Sequence, residues 1–81
     1  MHLIADGLVE ATEFRVTEKT LHCGEKLKDI QLKKNVLIAT ISRKGNIEIP
    51  SGDSTFLAGD SVIIISGSDR KVEQLNDVFA E

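Results

Sequence analysis

The sequence predicts a small α+β domain with the element order β-α-β-β-β-α on a mostly antiparallel or mixed sheet. β-branched residues are concentrated in two short runs, Val36–Ser42 and Ser61–Ser66, and the chain around them is rich in Gly, Asp and Ser. That alternation is typical of strands joined by turns. Two further stretches, one before the first run and one after the second, space apolar residues three or four apart. This spacing predicts a short helix in each place.

The first part of the chain is a terminal segment followed by a strand. We expect residues 1–12 to be a linker or the tail of a preceding segment, and residues 13–81 to form the domain. Gly7 suits the left-handed residue that closes a helix. Val9–Val16 alternates apolar and polar residues with one slip. The slip predicts either a bulge in this strand or a strand that begins only near Glu13.

The first predicted helix carries a surplus of apolar residues. Leu27 and Ile30 are three residues apart after the break at Cys23-Gly24, which favours one short helix. With Leu21, Leu32 and Val36 nearby, there are more apolar side chains than one short helix can bury in a small core. We therefore predict a homodimer whose interface includes Leu27 and Ile30.

The middle of the chain is predicted to form a strand, a hairpin turn and a strand at the edge of the sheet. Val36–Ser42 is apolar at both odd and even positions, which indicates a central strand with both faces buried. Lys44-Gly45-Asn46 predicts a tight hairpin turn. Ile47 and Ile49 alternate with polar residues, so the next strand is expected to have one wet face. Pro50 ends that strand and suits a sheet edge.

The last third of the chain contains two similar turns, a buried strand and a helix. The pairs Gly52-Asp53 and Gly59-Asp60 predict turns on either side of a short β segment at Thr55–Leu57. Ser61–Ser66 is the second buried strand, and Ser68-Asp69 is expected to cap a final helix. The apolar stripe of that helix consists of Val72, Leu75, Val78 and Phe79.

Composition argues against several classes of function. The chain has 81 residues, a net charge of −3, three Phe and neither Trp nor Tyr, which argues against a nucleic-acid partner. One cysteine cannot form an internal disulfide, and two histidines with one cysteine lack zinc-ligand spacing, so neither metal nor cofactor is predicted. No apolar run reaches the ~18 residues that span a bilayer. Because so short a chain buries only a small core, we expect self-association to provide the additional stabilisation.

Three residue groups suggest chemistry, and each has a structural interpretation that we favour. Asp53 and Asp60 fit a general acid/base pair or a cation site, but Asp after Gly more often caps its turn by accepting from the amides just beyond it. His22 and Cys23 fit an activated thiolate, but neighbours in a strand point to opposite faces. We expect a buried thiol and an exposed imidazole. Lys44 is the candidate for a modified carrier lysine. We predict no enzyme and no catalytic residue.

Basic residues provide the best candidate for ligand binding. Lys33-Lys34 and Arg43-Lys44 bracket the strand Val36–Ser42, so the two pairs are expected roughly 25–35 Å apart at ~3.3 Å per residue. They cannot share one pocket within a subunit, but they can approach each other across a two-fold axis. Ordinary surface charge is the simpler interpretation.

Several short motifs follow one another in an order that is typical of one family. They are Gly24-Glu25-Lys26-Leu27, then Arg43-Lys44-Gly45 after the first apolar strand, Ile49-Pro50-Ser51-Gly52-Asp53-Ser54, and Leu57-Ala58-Gly59-Asp60 before the second strand. In this order and spacing the sequence resembles the TrkA-C domain, also called the RCK C-terminal domain, over roughly residues 13–79. It departs from the family pattern by one residue, with Glu25-Lys26 in place of a plain Gly-Lys.

The resemblance implies a cytoplasmic regulatory module of potassium uptake systems, channels and some antiporters. Such domains usually follow a Rossmann-like domain and associate as dimers. Because the chain has no Gly-x-Gly-x-x-Gly, NAD or ATP binding is not assigned to it. Some members bind a cyclic dinucleotide, cyclic di-AMP, between two subunits after the first helix, where this chain has Lys33, Lys34 and Asn35. With Arg43, these are the predicted ligand-binding residues.

The resemblance also implies where the domain acts. We expect a ligand-sensing domain that reaches the inner face of the plasma membrane through a potassium-transporting subunit and an upstream domain. The same domain in a cation/proton antiporter or a dicarboxylate permease is the alternative host. A small Asp-dependent enzyme is the alternative from another class.

Overall fold

The fold is a single antiparallel sheet covered on one face. The structure is a computed structural model that describes residues 9–69 and 71–80, and the backbone of residues 2–4. The strands are β1 (His2–Ile4), β2 (Val9–Arg15), β3 (Val36–Arg43), β4 (Asn46–Glu48) and β5 (Ser61–Gly67). They form a five-stranded sheet in the order β1-β2-β5-β3-β4, and every neighbouring pair is antiparallel. The predicted antiparallel sheet is confirmed.

The central strand of the sheet is β5, not β3 as predicted. β5 pairs with β2 from Ser61 to Gly67 on one side and with β3 from Ser61 to Ser66 on the other. The outer neighbour of β3 is only three residues long. Leu37 on β3 lies on the face of the sheet opposite the core and is 51% exposed, so the prediction that both faces of this strand are buried was wrong.

Strand β2 begins earlier and is more regular than its sequence pattern predicted. Its pairing with β5 is continuous from Val9 opposite Gly67 to Arg15 opposite Ser61. The bulge is instead in β3, between Ile38 and Thr40. The predicted boundary between residues 12 and 13 therefore falls inside β2. Residues 2–4, expected in a linker or tail, pair with β2 as β1. Gly7 lies outside the described residues.

The first predicted helix is a single 3-10 turn, η1 (Leu27–Asp29). The backbone N–H groups that would continue an α-helix instead form hydrogen bonds with a distant segment of the chain. The N–H of Leu27 donates to the carbonyl of Ser54 at 2.9 Å, and the N–H of Lys28 donates to that of Gly52 at 2.9 Å. Because these amides bond across to the β4–β5 connection, no four-residue helical ladder forms.

The second predicted helix is also one 3-10 turn, η2 (Leu75–Val78). The carboxylate of Asp77 accepts from the N–H groups of Glu73 and Gln74, which starts this turn. The proposed cap, Asp69, instead accepts from Asn35 Nδ2 at 3.2 Å. No α-helix occurs in the described ranges. The two helices of the predicted element order were therefore wrong in kind.

The core lies between one face of the sheet and the segments that connect its strands. The predicted C-terminal stripe does face this core, with Val72 partly buried at its margin. Leu27 also packs at the margin, whereas Ile30 is 8% exposed and belongs to the core. The buried apolar residues are Val16, Ile30, Ile38, Ile41, Phe56, Val62, Ile64, Leu75, Val78 and Phe79.

The β3–β4 hairpin turns on two residues. Lys44 has φ 51° and Gly45 has φ 83°, while Asn46 already pairs with Arg43. Positive φ at both central positions is the signature of the type I′ turn that matches strand twist. Lys44 therefore occupies the hairpin tip, as the carrier-lysine interpretation requires; its modification stays a prediction.

The edge strand and the segment after it depart from the predictions. β4 has no buried face, since all three of its residues are exposed, Ile47 by 73%. Ile49, just after the strand, is 85% exposed. Thr55–Leu57, predicted as a short strand, is not one in the structure. The carbonyl of Phe56 instead accepts from the N–H of Gly24 at 2.9 Å, and its ring is buried.

Candidate functional site

The candidate site is an apolar recess beside η1, with a cavity volume of about 280 Å³. Three separate stretches of chain build it: η1 with the residues after it, strand β3, and the start of the β4–β5 connection. Its lining consists of Leu27, Lys28, Ile30, Leu32, Ile38, Pro50, Ser51 and Gly52. Carbon side chains predominate, so the recess favours apolar surface from a ligand or another protein.

The walls of the recess are held together by hydrogen bonds between distant segments. The bonds from Leu27 and Lys28 fix η1 against the β4–β5 connection. A Cβ added at Gly52 would lie 3.2 Å from the Cβ of Lys28, so the two segments approach closely because position 52 has no side chain. Ser54 Oγ accepts from the N–H of Ser51 at 2.9 Å and donates to Glu48 Oε2 at 2.7 Å. These bonds make the connection a fixed wall.

Asp60 and Arg43 form an ion pair at the other end of this connection. Asp60 is 2% exposed. Arg43 Nη2 and Nε donate to its carboxylate at 2.8 and 3.0 Å. Asp60 Oδ2 also accepts from the N–H of Leu57 at 2.8 Å, an amide before it in the chain rather than beyond it as predicted. The bonds from Arg43, and then from Leu57, lower the pKa of Asp60.

This ion pair bears on two predicted roles. A general acid needs a raised pKa, and Asp60 has a lowered one, so its environment does not suit the acid/base interpretation. Arg43, predicted to bind a ligand, donates to Asp60 and to the carbonyl of Thr55 at 3.4 Å. Its hydrogen bond to Asp60 raises the pKa of Arg43.

Asp53 has a different environment from Asp60. Its side chain is 74% exposed and lies 3.2 Å from Lys28 Nζ and 3.8 Å from Lys26 Nζ. The turn at Gly52-Asp53 is closed by Ser54, whose N–H donates to the carbonyl of Ser51 at 3.1 Å. The two aspartates thus have separate cationic partners, and they do not line the recess.

His22 and Cys23 show the reverse of the predicted burial. The thiol of Cys23 is exposed and donates to the carbonyl of Thr17 at 3.7 Å. Desolvation, and then the charge of Asp60, raise the pKa of Cys23, which disfavours the thiolate that a nucleophile needs. His22 is half-buried, because its ring meets Phe79 edge-on at 4.9 Å and its Nδ1 lies 2.9 Å from Glu25 Oε2.

The predicted ligand-binding residues fall at the two ends of β3, as their spacing requires. Lys33, Lys34 and Asn35 precede its first residue, and Arg43 is its last. Asn35 has φ 65° and accepts from the N–H of Gly67 at 2.9 Å. The structure does not bring Arg43 together with the other three, and none of the four lines the recess. Their ligand-binding role stays a prediction.

The sequence predictions missed most of the recess lining. Leu27 and Ile30 were identified as interface residues, but Leu32, Ile38 and Pro50 were assigned to the core or to a strand end. Residues so far apart in sequence give no local signal that they share a cavity. Gly52 was assigned only to a turn, and its contact with Lys28 depends on how two segments cross.

The described part of the chain contains no group of three His, Cys, Asp or Glu residues placed to hold a metal ion. In the same residues, no helix has both the length and the apolar character needed to cross a membrane. The recess itself combines apolar walls with nearby lysines.

Comparison with known proteins identifies relatives of the chain. The family model of the TrkA-C domain matches residues 11–80. The Trk system potassium uptake protein TrkA homolog of Archaeoglobus fulgidus is 44% identical over 73 residues, which cover 90% of this chain and 16% of that protein. The Trk system potassium uptake protein TrkA of Azorhizobium caulinodans is 35% identical over 83 residues, which cover 100% of this chain and 18% of that protein.

A third relative, the Trk system potassium uptake protein trkA homolog 1 of Methanosarcina mazei, is 29% identical over 77 residues, or 95% of this chain and 19% of that protein. The chain thus spans less than a fifth of the length of each of these relatives. Within that portion, the family model matches nearly the whole chain. The chain belongs to the TrkA-C domain family.

Proposed function

We propose that this chain is a non-enzymatic regulatory domain of a potassium transport system and that it acts through a change in the geometry of a homodimer. The observation that carries the proposal is the family match over residues 11–80, together with relatives that are named as Trk system potassium uptake proteins. A ligand regulates such a system only by binding one dimer geometry better than another. The transporter is reached through the remainder of a longer protein, at the inner face of the plasma membrane.

The recess beside η1 is the proposed dimer contact. Leu27 is half-buried at its rim, while Ile30 forms part of the monomer core beneath it. The interface predicted at Leu27 and Ile30 is therefore proposed as a surface made by Leu27 and Pro50 over a floor that contains Ile30 and Ile38. A second copy that covers this recess would remove apolar surface from water, which favours association.

Lys33, Lys34, Asn35 and Arg43 remain the proposed ligand-binding residues from the sequence, and the recess is proposed as a further part of the ligand site. The volume of the recess, about 280 Å³, is small for a whole ligand site. Two recesses that face each other across a two-fold axis would form a larger site. Lys28 lines the recess and Lys26 is close to it in the chain; both side chains are about half exposed, and each ammonium group lies close to Asp53. Apolar walls with nearby lysines suit a ligand with ring systems and negative charge, such as a cyclic dinucleotide.

The regulatory role is tested by deleting residues 9–80 from the encoded protein in its own cells and measuring rubidium or potassium uptake. We expect the transport complex to assemble, because this domain is not the membrane subunit, but its uptake should no longer respond to the signals that control it. Immunoprecipitation of the membrane subunit checks assembly. Normally regulated uptake after the deletion would rule out the regulatory role.

The recess contact is tested by Leu27→Glu. This substitution places a charge at the rim of an apolar contact, and we expect it to weaken dimerisation at least tenfold. Ile30 is unsuitable for this test, because its substitution would disrupt the monomer core. Leu57→Glu is the matched control, since Leu57 is 43% exposed and does not line the recess.

Sedimentation equilibrium at micromolar concentration measures both recess variants, and thermal unfolding checks that each one folds. We expect the control to associate as the wild type does. A folded Leu27→Glu variant with unchanged association would show that the recess is not the contact.

A further inference from the structure

A second cavity, of about 320 Å³, lies beside the β3–β4 hairpin, at the end of β3 that is far from Lys33 and Lys34. We call it the hairpin cavity. It shares no lining residue with the recess, and most of its lining is polar or charged. Donors and acceptors therefore decide what this cavity can hold, more than apolar burial does. Its lining consists of Ile41, Arg43, Lys44, Asn46, Ile47 and Glu48.

The register of the hairpin places a cation and an anion on the same side of the sheet. Arg43 pairs with Asn46, and Ile41 pairs with Glu48. Paired residues project to the same face, and so do residues two apart along a strand. Arg43 and Glu48 are therefore diagonal neighbours, with Cα atoms roughly 7–8 Å apart. This spacing leaves room for a small molecule between the guanidinium and the carboxylate.

Each of these two charged groups is held by a hydrogen bond to a buried residue. Nε and Nη2 of Arg43 donate to Asp60, which is 2% exposed, and Nη2 also donates to the carbonyl of Thr55. The N–H groups of Nη1 take no part in these bonds. Glu48 Oε2 accepts from Oγ of the buried Ser54 at 2.7 Å, which leaves Oε1 as an acceptor. Groups that are fixed before a ligand arrives lose little freedom when they bind it.

The lining of the hairpin cavity offers positive charge at one end and negative charge at the other. The hydrogen bond to Asp60 raises the pKa of Arg43, and the charges of Asp60 and Glu48 raise it further, so the guanidinium stays cationic. Pairing with Asp60 offsets part of this charge but leaves the Nη1 donors in place. Lys44, at the hairpin tip, adds a second cation to the lining.

We propose that the hairpin cavity binds a small zwitterion, a free α-amino acid. The carboxylate of the amino acid accepts from Arg43 and Lys44, and its ammonium group donates to Glu48. Hydrogen bonds in which both partners are charged are shorter and stronger than neutral ones. The volume of about 320 Å³ lies near the lower limit of the ~300–1,000 Å³ of small-molecule sites, which suits a ligand of this size.

This binding site goes beyond the proposed function and does not depend on it. The recess and the dimer contact proposed there are built around η1 and Pro50, away from the β3–β4 hairpin. Arg43 thereby has a ligand of its own, at the opposite end of β3 from Lys33 and Lys34. Amino-acid binding and the regulation of potassium transport can each fail without the other.

Titration of isotope-labelled protein with L-alanine, followed by NMR, tests the proposed site. L-Alanine is a sufficient probe, because the proposed contacts use only the groups that all α-amino acids share. We expect saturable shifts of the amides of residues 41–48, with a dissociation constant on the order of 1–10 mM, since so small a ligand makes few contacts. Sodium chloride at equal concentration controls for ionic strength. Absence of saturation up to about 100 mM L-alanine would overturn the proposal.

Two fragments of the probe test whether both charges of the zwitterion are recognised. Propionate lacks the ammonium group and ethylamine lacks the carboxylate, so each should bind at least tenfold more weakly than L-alanine. Glu48→Gln keeps the size of the side chain and an oxygen that accepts from Ser54, but it removes the charge. In this variant the preference for L-alanine over propionate should be lost. Lys44→Gln should reduce the preference for L-alanine over ethylamine at least threefold.

The control variant has to remove a charge without touching the cavity. Lys19→Gln serves, because Lys19 is exposed and does not line the cavity, and it should leave both preferences unchanged. Arg43 is unsuitable for substitution, because its loss would leave the buried Asp60 without its partner. Thermal unfolding checks that every variant folds. A folded Glu48→Gln variant that still preferred L-alanine over propionate as the wild type does would overturn the proposed site, and so would equal binding of propionate and L-alanine by the wild type.

Discussion

Replacement of Phe79 by alanine is expected to remove most of the free energy of unfolding of the domain at room temperature. Phe79 is 1% exposed, stacks on Phe56 with ring centroids 6.2 Å apart, and receives the His22 ring edge-on. A Phe→Ala change in a core costs about 3–5 kcal/mol of the free energy of unfolding. Natural domains have only about 5–15 kcal/mol in total, and a small domain is expected near the lower end.

The position of Phe79 makes the expected effect larger than that of a simple cavity. The chain on either side of it pairs with the segment after η1: the N–H of Lys33 donates to the carbonyl of Val78, and the N–H of Ala80 to that of Gln31, both at 2.9 Å. Loss of the ring therefore loosens the C-terminal segment as well as the core.

Urea unfolding followed by circular dichroism measures the effect of the Phe79 substitution. Phe79→Leu is the control, because it keeps an apolar side chain and should cost less than about 2 kcal/mol. If Phe79→Ala lowered the free energy of unfolding by less than about 1 kcal/mol, the C-terminal segment would not be part of the cooperative core.

The strands were predictable because their signals are local. Ser61–Ser66 is rich in β-branched residues, and β5 runs from Ser61 to Gly67. Lys44-Gly45 is a local hairpin signal and forms the predicted turn. The order of strands in the sheet was not predictable in the same way. Which of two apolar strands is central depends on the length of their neighbours, and the short β4 leaves one side of β3 open.

The two predicted α-helices do not form, because the hydrogen bonds that determine the backbone conformation in these places join segments that are distant in sequence. Leu27 and Ile30 have helical spacing, but the amides of Leu27 and Lys28 bond to the β4–β5 connection. The C-terminal stripe likewise faces the core, yet Phe79 takes part in a bridge with Leu32 instead of a helical turn. In both places, the spacing of apolar residues correctly predicted which side chains face the core. It did not predict the backbone conformation that places them there.

The candidate site was also predictable only where its signals are local in sequence. Leu27 and Ile30 were predicted at an interface because a small core could not bury all the apolar residues around them. The recess itself forms only where three segments that are distant in sequence meet. Asp60 was assigned to a turn cap from its place after Gly59. Its partner Arg43 is 17 residues earlier, and only the register of β3 against β5 shows that the two side chains are on the same side of the sheet.

Loss of the Asp60 carboxylate is expected to have a large effect on stability at neutral pH, second to loss of the Phe79 ring. Asp60→Ala leaves the N–H of Leu57 and the guanidinium of Arg43 without their acceptor. Removing one partner from a buried ion pair costs about 3–5 kcal/mol. Because the side chain of Arg43 is 46% exposed and water can reach it, we expect about 2–3 kcal/mol here.

The pH dependence separates the charge of Asp60 from its size. The pKa of Asp60 is lower in the folded protein than its ordinary value, which is about 3.9 in an unfolded chain. The unfolded state therefore binds the proton more tightly. The stabilisation from the ion pair is fully present above the unfolded-state pKa and is lost as the pH falls through the folded-state pKa.

Asp60→Asn is the variant that measures this charge, because it keeps the volume of the side chain and an oxygen that can accept from the N–H of Leu57. We expect the free energy of unfolding of this variant to be lower than that of the wild type at pH 7, and the gap to narrow as the pH falls below the ordinary aspartate pKa of about 3.9. Asp53→Asn is the control, because the side chain of Asp53 is 74% exposed and its surface ion pairs with Lys26 and Lys28 contribute little to stability. Urea unfolding at pH 7, 5, 3.5 and 2.5 gives the result. A gap between wild type and Asp60→Asn that stayed constant down to pH 2 would show that Asp60 acts through shape and hydrogen bonding, and that its charge pairing with Arg43 contributes nothing to the fold.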